Sequence, residues 1–270
     1  MKKESSIPAE IIKGRKMIYK LAKNDFKTKY AGSYLGIIWA FIQPVITVLV
    51  YWFVFEVGFR GGSDSLPVPF VLYLVAGIIP WFFFQDGLTG GTNSLLEYSY
   101  LVKKVVFNIS VLPVVKILSA VFVHLFFIVF ITFLYCCYGH FPDLYYLQLL
   151  YYLAGLLLLI LGLSYLTSAV VVFFRDLSQM ISIALQIGIW LTPIMWVAED
   201  KLIHYPLLYK ILKLNPVYYI VMGYRDVFIY KHWFWERPLW TAYFWCFVIG
   251  VLWLGTRVFK KLRVHFADVI

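Results

Sequence analysis

The sequence predicts an all-α membrane protein: six transmembrane helices, an N-terminal amphipathic interfacial helix, and short re-entrant half-helices before the last span. Three observations predict it. A 270-residue chain that is 62% hydrophobic, 20% aromatic and 14% charged has too little polar surface to cover a soluble globule of its size. Its apolar residues fall in runs near the ~20 residues that a bilayer requires. Its formal charge of +10 is spread unevenly about those runs, as positive-inside topology demands, so a membrane and not a nucleic acid accounts for the basic residues.

The first segment, residues 1–33, is read as cytoplasmic and amphipathic. Lys13, Lys16, Lys20, Lys23 and Lys27 recur at spacings of three and four, which gathers them on one helical face. Ile11, Ile18, Ala22 and Phe26 gather opposite, interrupted by Arg15 and Asp25. Such a helix lies on anionic membrane lipid. The charged stretch ahead of the first apolar run, and a run longer than the ~7 to 15 residues of a signal-peptide core, predict a retained signal anchor.

Residues 34–270 form the spanning region. Span one covers 34–59, with Pro44 as a kink that neighbouring helices can tolerate. A turn-rich loop, RGGSDSLP, precedes span two at 70–88, which carries GIIPWFFFQD. Residues 90–113 alternate polar and apolar side chains and read as surface helices. Span three covers 111–138, with Lys116 near its start, placed to snorkel, and His124 inside. Span four (146–174) and span five (177–197) form a hairpin about FFRDLSQ. Residues 198–237 hold two apolar pieces, 204–212 and 216–222, each too short to cross; half-helices are the physical solution. Span six covers 238–258.

Six spans put both termini on one side. The basic residues before Tyr34, with Lys103, Lys104, Lys116, Arg175, Arg257, Lys260, Lys261 and Arg263, outnumber by more than two to one those on the other side, Arg60, Lys201, Lys210, Lys213, Arg225, Lys231 and Arg237. Both termini are therefore expected in the cytoplasm.

The chain lacks a G-x-x-x-x-G-K-[ST] phosphate loop. It also lacks a zinc spacing, and Cys136, Cys137 and Cys246 lie in apolar runs as packing residues. No metal and no catalytic residue is expected. Arg175–Asp176 and Arg225–Asp226 read as local ion pairs or helix caps. GSYLG (32–36) and GLTGG (87–91) have the G-x-x-x-G spacing of close helix contacts. The positive signal is aromatic: Trp39, Phe41, Trp81, Phe82, Phe83 and Trp196 sit in or near spans beside kinking prolines, and aromatic faces can stack on the C–H faces of sugar rings. A sugar polymer could slide along such a path.

Six motifs in order, YAGSYLGIIWAFIQP, GIIPWFFF, LVKKVVFN, FFRDLSQ, LTPIMW and LNPVYYI followed by Tyr224–Arg225, resemble the membrane subunit of type-2 ABC transporters, the permeases that export O-antigen, capsule and wall teichoic acid. Asn108–Ile109–Ser110 departs from the pattern, where many relatives have a proline and an arginine. The resemblance implies a homodimer in a bacterial cell membrane, bound to two copies of a separate ABC ATPase that holds ATP and Mg; no cofactor is expected in this chain. It implies a lipid-linked glycan as substrate, with Lys27 and Lys29 meeting the undecaprenyl diphosphate. It further implies a coupling segment at 90–110, with Leu96, Glu97, Tyr98, Leu101, Lys103 and Lys104 as ATPase contacts and Arg175 and Asp176 as secondary ones. Residues 198–237 would cap the pathway outside. Export of drugs or small lipids is the alternative within the class. A membrane-embedded glycosyl- or acyltransferase is the alternative outside it, and would need a clustered acid or histidine pair at the membrane surface.

Overall fold

The computed structural model describes residues 7–58, 66–103, 108–198, 202 and 204–269, and every regular element among them is helical. Helix α1, Ile7–Lys29, buries Ile7, Ile18, Ala22 and Asp25 along one face, while Lys13, Lys16, Lys20, Lys23 and Lys27 stay exposed. Ile18 and Ala22 pack with Val111 and Val115, and Phe26 lies 5.8 Å from Phe122. The amphipathic pattern thus serves the protein as much as the membrane: α1 lies against the start of the third spanning helix.

The chain turns through residues 30–35 into helix α2, Trp39–Trp52, which a 3-10 turn precedes and a π-turn extends to Gly58. Gly32 and Gly36 make the elbow, with φ of +88° and +52° and no atom within 4 Å of a Cβ built on either. Their spacing therefore marks left-handed backbone, which only glycine adopts without strain, and not a helix contact as the motif suggested. Helix α2 and the π-turn after it leave Ile46, Leu49, Val50, Phe53 and Val57 exposed.

Helix α3, Phe70–Glu97, is the hub. It packs on α2, on α5 (Leu112–Cys137), on α6 (Gln148–Val171), on α7 (Leu177–Leu191) and on α9 (Pro216–Arg225). The second span was expected to stop at residue 88, with a separate surface segment after it. Instead the helix runs on for 28 residues in all, about 42 Å at 1.5 Å per residue. Its polar last turns are satisfied internally: Ser94 Oγ donates to Gly91 O at 2.7 Å and Asn93 Nδ2 to Thr89 O at 3.1 Å. One further helical turn, α4 (Ser99–Val102), follows.

Lipid is as apolar as a core residue, so close packing and small residues must hold spanning helices together. Gly91 lets α3 approach α6 so closely that a Cβ would collide with Ser164, and one on Gly87 would lie 3.1 Å from Ile160. Here the G-x-x-x-G spacing does mark a contact. Gly255 of the last long helix, α10 (Pro238–Leu262), meets Gly162 of α6 in the same way. Gly91→Leu is expected to destabilise the fold by about 1–3 kcal/mol through overpacking, read as a lower unfolding midpoint in detergent; a wild-type midpoint would contradict the contact.

Five described stretches are long and apolar enough to cross a membrane: Gly36–Gly58, Phe70–Glu97, Ile109–Cys137, Leu144–Val171 and Pro238–His265. The expected fifth span, 177–197, is realised as α7 with only 15 residues, about 22 Å, before the helix breaks at Thr192. The two short apolar pieces become α8 (Pro206–Lys213) and α9, of 8 and 10 residues. Asn215 caps α9, accepting from Val217 N at 3.0 Å, and its Nδ2 donates to Thr192 Oγ1 at 2.9 Å. Helix α9 is buried from Val217 to Arg225.

The Arg225–Asp226 pair is not a pair. Arg225 turns inward and donates to the carbonyls of Pro193 and Ile194 at 2.7 and 2.8 Å. Asp226 instead meets Arg237 at 3.0 Å. Chain neighbours on a helix point in different directions, which adjacency in the sequence conceals.

Candidate functional site

Two adjoining cavities lie between α1, α2, α3 and α5. The larger, about 490 Å³, is lined by Trp39, Gln43, Thr47 and Tyr51 from α2, by Phe82, Phe83, Gln85, Asp86 and Thr89 from α3, and by Val123, His124 and Phe127 from α5, with Lys29, Tyr30 and Ile189 at its margins. The smaller, about 420 Å³, shares Lys29, Asp86, Thr89 and Ala120 with it and adds Asp25, Glu97, Tyr98, Lys116 and Ser119. They thus form one tract running from an aromatic and amide-lined part to a charged part.

The charged part is a knot joining three elements. Lys116 of α5 lies 2.5 Å from Asp25 of α1 and 2.5 Å from Glu97 at the end of α3. Tyr98 donates to the same Asp25 carboxylate at 2.7 Å. Side-chain exposure is 12% for Lys116 and 6% for Asp25, so each needs the other. Burial pushes the Tyr98 phenol up, and its bond to Asp25 adds to the shift. Beside the knot, Lys29 meets Asp86 at 2.5 Å. Burial alone would lower the Lys29 ammonium, but Asp86 outweighs it and holds its pKa above the usual lysine value.

Asp25 is the acid that interrupts the apolar face of α1, and Lys116 is the base expected to snorkel. The two irregularities answer each other: an acid on a buried face requires a buried base. That pairing is the signal the sequence carries for the knot. Asp86, Gln43 and Gln85 carried no comparable signal.

Of the aromatic residues singled out, Trp39, Phe82 and Phe83 come together on the large cavity. Phe41 sits behind them, its ring 4.1 Å from Phe126. Trp81 faces the opposite way, 2% exposed, against Gly188 of α7. Trp196 follows α7, and its indole donates to Trp190 O at 3.1 Å. Neither lines the cavity: Trp81 points away because successive residues of a helix diverge by about 100°, and Trp196 lies beyond the end of α7. Lys27 is exposed on α1. His124 is 2% exposed; its Nε2 lies 2.8 Å from Tyr224 Oη, its ring stacks on Phe83 at 4.6 Å, and its Nδ1 has no partner.

The residues expected to contact an ATPase gather at one end of the bundle. Leu95 and Val102 share an apolar cluster with Ile7 of α1, Tyr165, Ala169 and Val172 near the end of α6, and Phe259 and Phe266 near the C-terminus; Tyr98 and Leu101 pack against it. The turn with Arg175 and Asp176, both exposed, follows directly. Leu96 is half-buried, Glu97 and Lys103 are exposed, and Lys104 lies outside the described residues.

At the opposite end Asp226, 4% exposed, is raised to about 6, because burial outweighs Arg237. A carboxylate raised on folding binds its proton more tightly in the native state. Its stabilising contribution is full below the unfolded value of ~3.9 and is lost as pH rises through about 6. Between about pH 7.5 and about pH 5 the wild-type unfolding midpoint should therefore rise relative to Asp226→Asn. Parallel pH profiles would contradict the shift.

The fold is that of a multi-span helical membrane protein. Residues 17–229 match the ABC-2 type transporter family, and the chain is a member of it. The chain is 25% identical over 253 residues to an O-antigen export system permease protein RfbA of Klebsiella pneumoniae, covering 93% of either chain. A second such permease of that organism is 26% identical over 254 residues, again covering 93% of either chain. One from Myxococcus xanthus is 26% identical over 265 residues, covering 97% of this chain and 98% of its own.

Proposed function

We propose that this chain is the membrane subunit of an ATP-driven exporter that moves an undecaprenyl diphosphate-linked polysaccharide outward, as a homodimer docked on two copies of a separate ATPase holding ATP and Mg. The observation that carries the reading is likeness, along nearly the whole of both chains, to permeases named for O-antigen export. In this reading α7 with the segment after it makes the fifth of six crossings. Helices α8 and α9 cap the outer end, and both termini are cytoplasmic. Helix α4 and the Arg175 turn meet the ATPase at the end where α1 docks. Lys27 is left to meet the diphosphate, since Asp86 already holds Lys29.

Deleting the gene in its bacterium should remove the long surface glycan and leave lipid-linked polymer inside. Complementation should restore it. Unchanged surface glycan, or a purified complex whose ATPase responds to drugs and ignores an extract of lipid-linked glycan, would overturn the reading. For the coupling end, Lys103→Glu should weaken co-purification of the ATPase at equal abundance; undiminished recovery would move the contact elsewhere.

A further inference from the structure

Resting on the export reading above, we infer that the tract between α2, α3 and α5 is a sugar-binding site inside each protomer, and that it selects uncharged glycan units over anionic ones. Two features carry this. The volume of about 490 Å³ lies within the ~300–1,000 Å³ of small-molecule sites. Its wall combines the faces of Trp39 and Phe82 with the amides of Gln43 and Gln85. Each amide offers two donors and an acceptor, the complement of a ring that is apolar on its C–H face and hydroxylated at its rim.

Charge selects among glycans. The tract holds two cations, Lys29 and Lys116, against three carboxylates, Asp25, Asp86 and Glu97. Both lysines are already engaged at 2.5 Å. A phosphate or uronate entering the tract would find an excess of negative charge and no free ammonium among these residues, so it must displace a carboxylate or go unpaired. A neutral or amino sugar meets neither obstacle. The site thus fits a neutral polysaccharide and is ill-suited to a polymer carrying a phosphate in every repeat.

The test is photo-crosslinking in cells making the glycan, with benzoylphenylalanine replacing Gln43 or Thr47 in the cavity and, as control, Leu49, which is 54% exposed and lines an adjoining apolar pocket but not the tract itself. Surface glycan and chain abundance are followed in the same cells. Adducts at Gln43 or Thr47 should yield neutral or amino sugars on hydrolysis, at several times the Leu49 level. Asp86→Asn with Lys29→Gln removes one charge of each sign, leaves the acids in excess, and should keep that selectivity; Asp86→Lys should lower the adduct yield of a neutral glycan by no more than a few-fold and admit anionic units. Adducts containing lipid alone, no excess over Leu49, or phosphate- or uronate-bearing sugars in the unmodified tract would overturn the inference while export dependent on the chain stands. Surface glycan that persists in the deletion strain would instead overturn the export reading, and the site with it.

Discussion

Lys116→Ala is expected to be among the most damaging single substitutions in the chain. It removes the base that, among the described residues, lies 2.5 Å from both Asp25 and Glu97. Glu97, half exposed, can turn to water. Asp25, at 6% side-chain exposure, cannot, and among the described residues keeps the Tyr98 hydroxyl alone. Breaking a buried pair by removing one partner costs about 3–5 kcal/mol, whereas replacing both by apolar groups is often neutral. The single variant should therefore show low abundance and a release of α1 from the bundle, read as protease sensitivity of residues 7–29. Asp25→Leu with Lys116→Met should recover most of the loss. If Lys116→Ala keeps wild-type abundance and protection, or if the double variant is worse than either single one, the knot is not what secures α1.

Arg225→Lys is expected to cost nearly as much, although it preserves the charge. The guanidinium is 0% exposed. It reaches the carbonyls of Pro193 and Ile194 with two nitrogens at 2.7 and 2.8 Å, and its carbon lies 3.6 Å from the centre of the Tyr73 ring. Those carbonyls belong to the broken end of α7, where non-helical backbone in a membrane domain must find protein partners. An ammonium is a point donor without the planar fork and does not stack in the same way. A loss of about 3 kcal/mol follows from two charge-assisted bonds at ~1.5–3 kcal/mol each, partly recovered. The room for the guanidinium comes from Gly77, where a Cβ would lie 2.9 Å from Nη2, so Gly77→Ala should reproduce a milder form of the defect. The check is the unfolding midpoint of each variant in detergent. Wild-type stability for Arg225→Lys would show that charge alone, and not the fork, supports the break.

Arg225 counts among the basic residues expected on the external side, yet it is fully buried and carries no topological information. Charge statistics assume that basic residues face water at a membrane surface, and a residue engaged by carbonyls escapes that assumption. Helix α7 failed expectation for a related reason. Hydropathy measures an apolar run and cannot see where backbone hydrogen bonding stops, so residues 177–197 read as one span while the helix ends at Leu191. The end of α3 was missed in the opposite sense. Its polar residues suggested a surface segment, but Ser94 and Asn93 bond back to their own helix, and Thr92 meets Thr167 of α6 at 2.7 Å.

Composition, run length and the order of motifs were enough to establish a multi-span helical protein, its amphipathic first helix and its family. Each is a property of contiguous residues: hydrophobic free energy and helical periodicity act locally along the chain, and a window of the sequence contains them whole. The partners of Lys116, Arg225 and Asp226, the difference between the glycines of the elbow and those of α3, and the division of the aromatics between cavity and core depend on which helix faces come together. Neighbouring residues on a helix diverge by about 100°, so Trp81 and Phe82 part company across a single peptide bond. Asp25 and Lys116 meet because packing brings α1 onto α5, and a buried acid makes that packing tolerable only where the base is present.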